Sequence, residues 1–301
     1  MKKPKVFNSI SDLHRALGLP KPLHPLLSLV DYSNITADTV DLEDGMIFNF
    51  YKVSYKQSFS GKIKYGQTHY DFDEGGLSFI APNQVIISKN DEADYSGYTL
   101  LFHPDFIRNF PLGKNIKNYG FFSYSTAEAL YLSDKEKETI IGIFKFIEQE
   151  LSVAIDNFSQ EVMVSQLDLL LSYSKRFYNR QFITRKNFNT DILTKVESIL
   201  NEYFDQEKAV LKGLPTVQDI AGALNVSSHY LSDMLRSHTG MNTQQHIHNK
   251  MIEKAKELLA TTTLSIAEVA YKLGFEHPQS FNKIFKKKTA TSPLDYRHSL
   301  N

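Results

Sequence analysis

Two segments in the C-terminal third of the chain repeat one pattern of small, turn-forming and apolar residues. They span residues 216–240 and 265–290 of the 301-residue sequence. Each copy supplies a small residue, a turn residue and two apolar residues at corresponding positions: Ala221 with Ala270, Asn225 with Gly274, Leu231 with Phe281, and Leu235 with Phe285. The first two pairs are separated by 49 residues and the last two by 50, so the second copy holds one extra residue in its turn.

This spacing predicts two helices that cross closely after a sharp turn. The alanine lets the second helix pass near the first, and four residues later the chain must turn. Gly274 adopts a positive φ without steric cost, and Asn225 is among the residues that tolerate it best. The pattern is that of a helix-turn-helix, whose second helix enters the DNA major groove. One copy alone would fit an ordinary α-helical hairpin equally well, but two copies joined by a helix over 244–259 favour the helix-turn-helix.

The distribution of aromatic residues indicates two domains of different class. Of the 37 Phe and Tyr residues, 29 lie in residues 1–190. A chain of 301 residues is also long for one core, and two domains are the usual outcome. Hydrophobic residues make up 42% and charged residues 23%, which is typical of a folded globular chain rather than a disordered one.

Residues 45–102 show short runs of branched and aromatic residues separated by turn signals. Such runs predict a small β-barrel or sandwich. A capping box formed by Ser133 and Glu136 then predicts a helix. A second helix is predicted from Ser159 to about Phe177, with apolar residues on two sides. We expect it to be buried between the barrel and the neighbouring helix, or to form a dimer face. The predicted fold class is therefore α+β, followed by an all-α part.

Residues 172–190 form a polar, basic run that is predicted to be a helix end and an interdomain linker. The positive charges in it are Lys175, Arg176, Arg180, Arg185 and Lys186. Most runs of this kind are simply solvated, and contact with phosphate is the alternative.

Several short motifs in the last third of the chain resemble one protein family. They are Ala255-Lys-Glu-Leu-Leu259, Leu264-Ser-Ile-Ala-Glu-Val-Ala270, Leu273-Gly-Phe275, Pro278-Gln-Ser-Phe281, Phe285-Lys-Lys287 and Ser292-Pro-Leu-Asp-Tyr-Arg297. Together, residues 193–298 resemble the DNA-binding domain of the AraC/XylS family of bacterial transcription regulators. The sequence departs from that pattern at Ala290, where the family usually has glycine, and at Met251, where an arginine is common.

The resemblance implies a fold and a function. It implies two helix-turn-helix units joined by a linker helix, which place two recognition helices in successive major-groove segments of double-stranded DNA. The first half resembles, more weakly, the family's cupin-like β-barrel with following helices that often dimerise. We therefore expect a regulatory and dimerisation domain over 1–178, a linker over 179–192 and a DNA-binding domain over 193–298. The expected function is sequence-specific transcription regulation, with activation or repression left open.

The outward polar residues of the two recognition helices are the predicted DNA contacts. They are Ser228, His229, Ser232, Asp233 and Arg236 in the first helix, and Gln279, Ser280, Asn282, Lys283, Lys286 and Lys287 in the second. Glutamine and asparagine can pair with adenine in two hydrogen bonds, and arginine or lysine with guanine. Lys287 and its neighbour Lys288 are expected to meet phosphates. A polar outward face is, however, also the default of any surface helix.

Aromatic residues of the first half are candidates for binding a small-molecule effector. The candidates are Tyr51, Tyr55, Tyr65, Tyr70 and Phe72. Ordinary core packing explains aromatic residues at least as well. A homodimer is expected, and RNA polymerase is a further candidate partner. A regulator controlled only by a protein partner is one alternative, and a cupin-type metal enzyme fused to a DNA-binding module is another.

The sequence argues against the enzyme alternatives. The chain has no cysteine, which excludes disulfides, thiolate zinc sites and the cysteine chemistry of DNA-alkylation repair proteins that carry a similar domain. The four histidines before residue 190 lack the paired spacing of metal-dependent cupins: His14, His24, His69 and His103. We therefore expect no cofactor, no metal and no catalytic residue. No signal peptide or membrane span is recognised, so a cytoplasmic location is expected.

Overall fold

The computed structural model divides the chain into two compact units, Met1–Thr184 and Arg185–Asn301. It describes residues 4–35, 45–57, 75–86, 96–125, 128–184, 186–206 and 208–300, with the backbone alone for 186–190. The second unit begins within the residues predicted to form a linker. Within 179–192 lie the end of one long helix and the start of another.

The described residues of the first unit include eight strands arranged in two sheets. The strands are β1 (Lys5–Phe7), β2 (Leu27–Asp31), β3 (Met46–Phe48), β4 (Tyr51–Lys56), β5 (Gly76–Ile80), β6 (Val85–Ile86), β7 (Gly97–Phe102) and β8 (Leu130–Tyr131). The larger sheet is antiparallel in the order β2-β7-β4-β5-β8, and the smaller has the order β1-β3-β6 with a parallel β1–β3 pair.

The α+β class of the first unit is as predicted, but the closed cupin-like barrel is not confirmed. Among the described residues, neither sheet closes upon itself. The strands are two to six residues long, and β6 and β8 are only two-residue edges. In the part of the first unit that the structure describes, the sheets are therefore open rather than closed into a barrel.

The part of the first unit that the structure describes also holds five α-helices. They are α1 (Ile10–Ala16), α2 (Pro104–Ile107), α3 (Pro111–Asn115), α4 (Asp134–Ser152) and α5 (Ser159–Thr184), with short 3-10 turns at Tyr32–Asn34, Ile116–Asn118 and Gly120–Ser123. The predicted cap of α4 is confirmed, since the Glu136 carboxylate accepts the Ser133 N–H at 2.9 Å.

Glu136 also binds α5. Arg180 donates from Nε to Glu136 Oε1 at 3.0 Å and from Nη2 to Glu136 Oε2 at 2.5 Å and to the Tyr131 carbonyl at 2.7 Å. The Arg180 and Glu136 side chains are only 24% and 14% exposed, so water screens this pair little. One arginine thus ties α5 to the start of α4 and to β8.

Helix α5 extends to Thr184, past the predicted end near Phe177. Of its two apolar sides, one is buried in the unit, through Met163, Val164, Leu167, Leu170 and Leu171. The other side stays accessible, since Val162 is 42% and Leu169 is 43% exposed. The expectation that both sides are covered within the unit therefore fails for Val162 and Leu169, and the dimer-face alternative stays open.

The second unit is all helical over its described residues. Its helices are α6 (Lys186–Asp205), α7 (Lys208–Lys212), α8 (Val217–Ala223), α9 (Ser228–Thr239), α10 (Thr243–Thr261), α11 (Ile266–Lys272), α12 (Pro278–Thr289) and α13 (Pro293–His298). The helix-turn-helix pairs are α8–α9 and α11–α12, and α10 joins them. Met251, which replaces the family's common arginine, is fully buried on α10 in the core that holds Phe281 and Phe285.

The two turns share one geometry but differ in their surroundings. Asn225 and Gly274 have φ of 54° and 88°, and the next residue donates its N–H to Ala221 or Ala270 at 3.1 or 3.0 Å. A Cβ on Gly274 would lie 2.6 Å from the Gly213 carbonyl carbon and 2.7 Å from the Ala209 carbonyl oxygen. Glycine is therefore required in the second copy by close backbone approach, in addition to its φ.

The ends of α9 and α12 also match. Gly240 has φ 74° and ψ −2°, and Ala290 has φ 65° and ψ −6°, so the alanine adopts the left-handed conformation that its glycine counterpart adopts. Their N–H groups donate to the Arg236 and Lys286 carbonyls at 3.0 and 2.9 Å. The departure from glycine at position 290 therefore leaves the turn unchanged and imposes strain on a residue with a Cβ.

Exchanging these residues should change the stability of the second unit in opposite directions. Ala290→Gly should raise the free energy of unfolding by about 1 kcal/mol, because the left-handed strain is relieved. Gly240→Ala should lower it by about 1 kcal/mol, since no atom lies within 4 Å of its Cβ and only the φ is at stake. Gly274→Ala should cost more than Gly240→Ala because it adds backbone collisions. Hydrogen exchange of buried α12 amides measures all three; an equal loss for the two glycine variants would contradict this account.

Removing the Arg180 side chain should destabilise the first unit. Arg180→Met should lower its free energy of unfolding by about 2 kcal/mol, because Glu136 and the Tyr131 carbonyl lose a partly buried partner. Arg176→Met is the matched control, since Arg176 is exposed on the same helix and a change within about 0.5 kcal/mol is expected. Urea unfolding followed by tyrosine fluorescence measures both. Equal effects of the two substitutions would show that the contact of Arg180 with Glu136 and the Tyr131 carbonyl does not stabilise the unit.

Candidate nucleic-acid interface

Helix α12 presents an apolar side to the core and a polar side to solvent. Phe281 and Phe285 are fully buried, and Ile284 packs against the same core. The side chains predicted to contact DNA are all exposed: Gln279, Ser280, Asn282, Lys283, Lys286 and Lys287. Pro278 at the start of the helix suits the first turn because proline has no N–H to leave unpaired.

The positive charge of α12 is not neutralised within the unit. Lys283, Lys286, Lys287 and Lys288 have no carboxylate within ion-pair distance among the residues that the structure describes. Lys254 differs, since its Nζ lies 3.0 Å from both Asp205 and Glu257. Four uncompensated lysines on one helix make a local electropositive surface, although the formal net charge of the chain is zero.

Helix α9 presents a similar but more restrained surface. The Ser227 hydroxyl caps it by accepting the Tyr230 N–H, and Leu231, Met234 and Leu235 are buried among its core residues. The predicted DNA contacts of α9 differ in exposure. His229 and Arg236 are exposed, whereas Ser228, Ser232 and Asp233 are partly buried.

Three of these predicted contacts, Ser232, Asp233 and Arg236, are engaged by neighbouring side chains. The Ser232 and Thr243 hydroxyls share a hydrogen bond of 3.0 Å, which ties α9 to the start of α10. Arg236 Nη1 donates to Asp233 Oδ1 at 2.9 Å. A largely exposed pair of this kind contributes only about 0.5 kcal/mol.

Helix α10 carries polar side chains that contact α9 and α12 and that the sequence analysis did not single out. Lys288 Nζ donates to Asn249 Oδ1 at 3.1 Å, and a His246 ring nitrogen bonds the Thr239 hydroxyl at 2.9 Å. Burial lowers the pKa of His246. His248 lies 3.0 Å from the Gln244 amide nitrogen, and its pKa is lowered by burial and by the nearby charges of Lys288 and Lys287. Nothing in the pattern of a linker helix distinguishes these positions from ordinary surface residues.

The basic run before the second unit is divided between different roles. Arg180 forms the clamp to Glu136, so it is engaged inside the first unit. Lys175 and Arg176 are exposed on α5. The side chains of Arg185 and Lys186 lie outside the described residues.

The candidate effector residues that the structure describes belong to the core. Tyr51 stacks on Phe102 with ring centres 4.9 Å apart, and Tyr55 is only 2% exposed. Burial raises the pKa of both phenols. Tyr65, Tyr70 and Phe72 lie outside the described residues. A cavity of about 340 Å³ lies elsewhere in the first unit, lined by aromatic residues that include Phe79, Phe121, Tyr124 and Tyr178.

The histidines of the first unit form structural hydrogen bonds. His14 bonds the Pro20 carbonyl and the Ser28 hydroxyl at 2.6 and 2.9 Å, while His24 and His103 accept backbone N–H groups. His69 lies outside the described residues. Over the described ranges, no three His, Asp or Glu side chains are grouped so that they could hold a metal ion.

No helix in the described part of the chain combines the length and the apolar character that crossing a bilayer requires.

Known proteins share the C-terminal part of this chain. Residues 220–299 match the family model described as a helix-turn-helix domain. The chain is 28% identical over 143 residues to an uncharacterized HTH-type transcriptional regulator, YfiF, of Bacillus subtilis (strain 168), covering 48% of this chain and 42% of that protein. It is 35% identical over 81 residues to the xylose operon regulatory protein of Escherichia coli (strain K12), covering 27% of this chain and 21% of that protein.

Among solved structures, one similar chain is the C-terminal domain of the two-component response regulator yesN from Fusobacterium nucleatum. It is 33% identical, with 34% of this chain and 93% of that chain covered and a TM-score of 0.30. The chain spans less than half of the length of the two curated relatives described above.

The residues matched by the family model include most of both copies of the repeat. Residues 220–299 are therefore a helix-turn-helix domain of the AraC type, and through this domain the chain is related to the AraC-family regulators.

Proposed function

We propose that this protein is a sequence-specific DNA-binding transcription regulator. Its second unit would bind double-stranded DNA with α9 and α12 as the two recognition helices. The observation that carries the proposal is the duplicated helix-turn-helix, of which the second copy exposes a polar face with four unneutralised lysines. Relatives that share this domain are named as transcriptional regulators.

Residue chemistry divides the proposed contacts into base readers and phosphate contacts. Gln279, Asn282, Lys283 and Arg236 carry the groups that recognise adenine or guanine edges. Lys287 and Lys288, at the end of α12, suit phosphate oxygens, and Lys286 lies between the two sets. Ser228, His229, Ser280 and Asp233 have hydrogen-bonding groups without a single preferred base. Ser232 would act from its bond to Thr243, chiefly by setting the position of α9.

The first unit is proposed to control the second. We take residues 1–178 as the regulatory and dimerisation domain, 179–192 as the connection and 193–298 as the DNA-binding domain. A small effector would fit the cavity of about 340 Å³ beside α5 better than a site at Tyr51, which is stacked on Phe102, or at the buried Tyr55. Control by a protein partner alone remains the alternative, and a metabolite panel measured by thermal shift separates the two, since a ligand that binds only the folded state raises its melting temperature.

We propose no enzymatic activity and no cofactor. The relatives are named as regulators, and the histidines of the first unit that the structure describes are engaged in structural hydrogen bonds. Stoichiometric iron or manganese in the purified protein would contradict this and would support the cupin-type enzyme. RNA polymerase stays a candidate partner, whose role depends on where the DNA site lies.

Random-site selection with the full-length protein tests DNA binding directly. We expect enrichment of a defined sequence at about 50 mM salt, with affinity that falls as salt is raised. Complete failure to retain any duplex under these conditions would overturn the proposed function.

Two substitutions should distinguish a base reader from a phosphate contact. Arg236→Ala should weaken binding to the selected site by about 1–3 kcal/mol and relax the preference at one base pair. Lys287→Ala should weaken binding to all sequences alike and reduce the salt slope by about one unit. Lys195→Ala, at an exposed lysine of α6, is the control and should change neither quantity. If Arg236→Ala and Lys287→Ala lose the same base preference, the assignment of the two roles is wrong.

Charges placed on the accessible side of α5 should dissociate the proposed homodimer. Val162 and Leu169 are seven positions apart, so they lie on one face of the helix, and burying them between two subunits would account for their exposure. The double variant Val162→Glu, Leu169→Glu should weaken the dimer about 100-fold, as measured by sedimentation. Lys175→Glu, exposed on the same helix, should leave it intact. A wild-type protein that stays monomeric at micromolar concentration would refute this interface.

A further inference from the structure

Helix α10 connects the two recognition helices and also touches both of them within a short distance. Ser232 of α9 bonds Thr243, and Lys288 of α12 bonds Asn249. Six residues separate these two contact points, which is about 9 Å along a helix axis. The segment 243–249 is therefore the stretch of α10 that lies between the contact with one recognition helix and the contact with the other.

His248 lies in this segment, next to the end of α12. It is partly buried, and the charges that shift its pKa are Lys287 and Lys288, with no carboxylate among the causes. Lys288 has an amide oxygen as its partner, so its charge is not cancelled. The surroundings of His248 thus combine two positive charges, an amide side chain from Gln244 and access to solvent.

His248 Nε2 lies 3.0 Å from the Gln244 amide nitrogen. With that nitrogen as the donor, the hydrogen bond suits a ring whose Nε2 carries no proton. Burial and the two lysines act in the same direction, because each disfavours a third positive charge. The pKa of His248 in the free protein is therefore below its ordinary value.

A DNA phosphate would reverse this preference. It would neutralise part of the lysine charge and offer an anionic acceptor to a protonated imidazole. Building on the proposed function, we propose that His248, Lys287 and Lys288 form a phosphodiester-binding contact between the recognition helices, and that DNA binding there takes up one proton from solvent at His248. Rotation of the Gln244 amide would turn its oxygen to the protonated ring.

The direction of the pH effect follows from linkage. In free protein the pKa of His248 is below its usual value, and in the complex the phosphate raises it. Affinity should therefore rise as pH falls through the pKa of the complex, and level off once pH is below the pKa of the free protein. Between these limits binding gains up to about tenfold per pH unit, which corresponds to one proton.

The experiment compares full-length wild type with three variants on the duplex obtained by random-site selection, at constant ionic strength from about pH 5.5 to pH 8. His248→Gln can still bond Gln244 but never becomes charged, so it should lose one proton of the pH dependence. His248→Lys carries the charge throughout and should bind at high pH about as tightly as wild type does at low pH. His298→Gln, at an exposed histidine of α13, is the matched control and should keep the wild-type profile.

Two further measurements make the result specific to this contact. The salt slope of wild type should be about one unit steeper at low pH than at high pH, and that of His248→Gln should not change with pH. The NMR-measured pKa of the His248 ring should rise when the duplex is added. Parallel pH profiles for wild type and His248→Gln, or an unchanged His248 pKa, would overturn the inference while leaving DNA binding intact. Absence of DNA binding at every pH would overturn the proposed function and this inference with it.

Discussion

Burial of the apolar face of α10 is the constraint on which the DNA-binding unit depends. Met251, Ile252, Ala255 and Leu259 lie in one core with Phe281 and Phe285 of the second recognition helix. Ala255 is small enough for a neighbouring helix to approach closely, and Met251 adapts to the space beside the two rings. Because the core fixes the side of α10 that faces inward, it also determines that Thr243 meets α9 and that Asn249 meets α12.

Much of this unit could be predicted from the sequence because its information is local and duplicated. Thr216 with Asp219 and Ser265 with Glu268 form capping boxes, a motif that is local in sequence, and the two turns have the positive φ that their residues suggested. Ala290 departs from the glycine of the family pattern, but this departure does not argue against the predicted fold. The hydrogen bond to Lys286 and the packing of α12 and α13 hold the alanine in a left-handed conformation. About 1 kcal/mol of strain is small beside the burial of two phenylalanines.

The first unit was less predictable, since its structure depends on distant pairings. A run of short strands does not reveal which strand pairs with which, and the two sheets with their order β2-β7-β4-β5-β8 could not be read from alternation alone. Aromatic residues were assigned to a ligand by type, yet Tyr51 stacks on Phe102 within the core. Arg180 belonged to a basic run that suggested solvent or phosphate, but its true partner, Glu136, lies 44 residues away in the sequence. Contacts of that range leave no local signal.

The two recognition helices differ in a way that net charge conceals. In α9 the arginine is paired with Asp233 and a serine is tied to α10, so part of its polar surface is already satisfied within the protein. In α12, four lysines lie without carboxylate partners within the described chain. Two of them, Lys288 and Lys287, add to the effect of burial in lowering the pKa of His248. In the proposed complex, DNA approaching α9 would have to replace existing interactions, whereas DNA approaching α12 would relieve repulsion between lysines. The two proposed recognition helices would therefore contribute to binding in different ways, although the chain as a whole is electrically neutral.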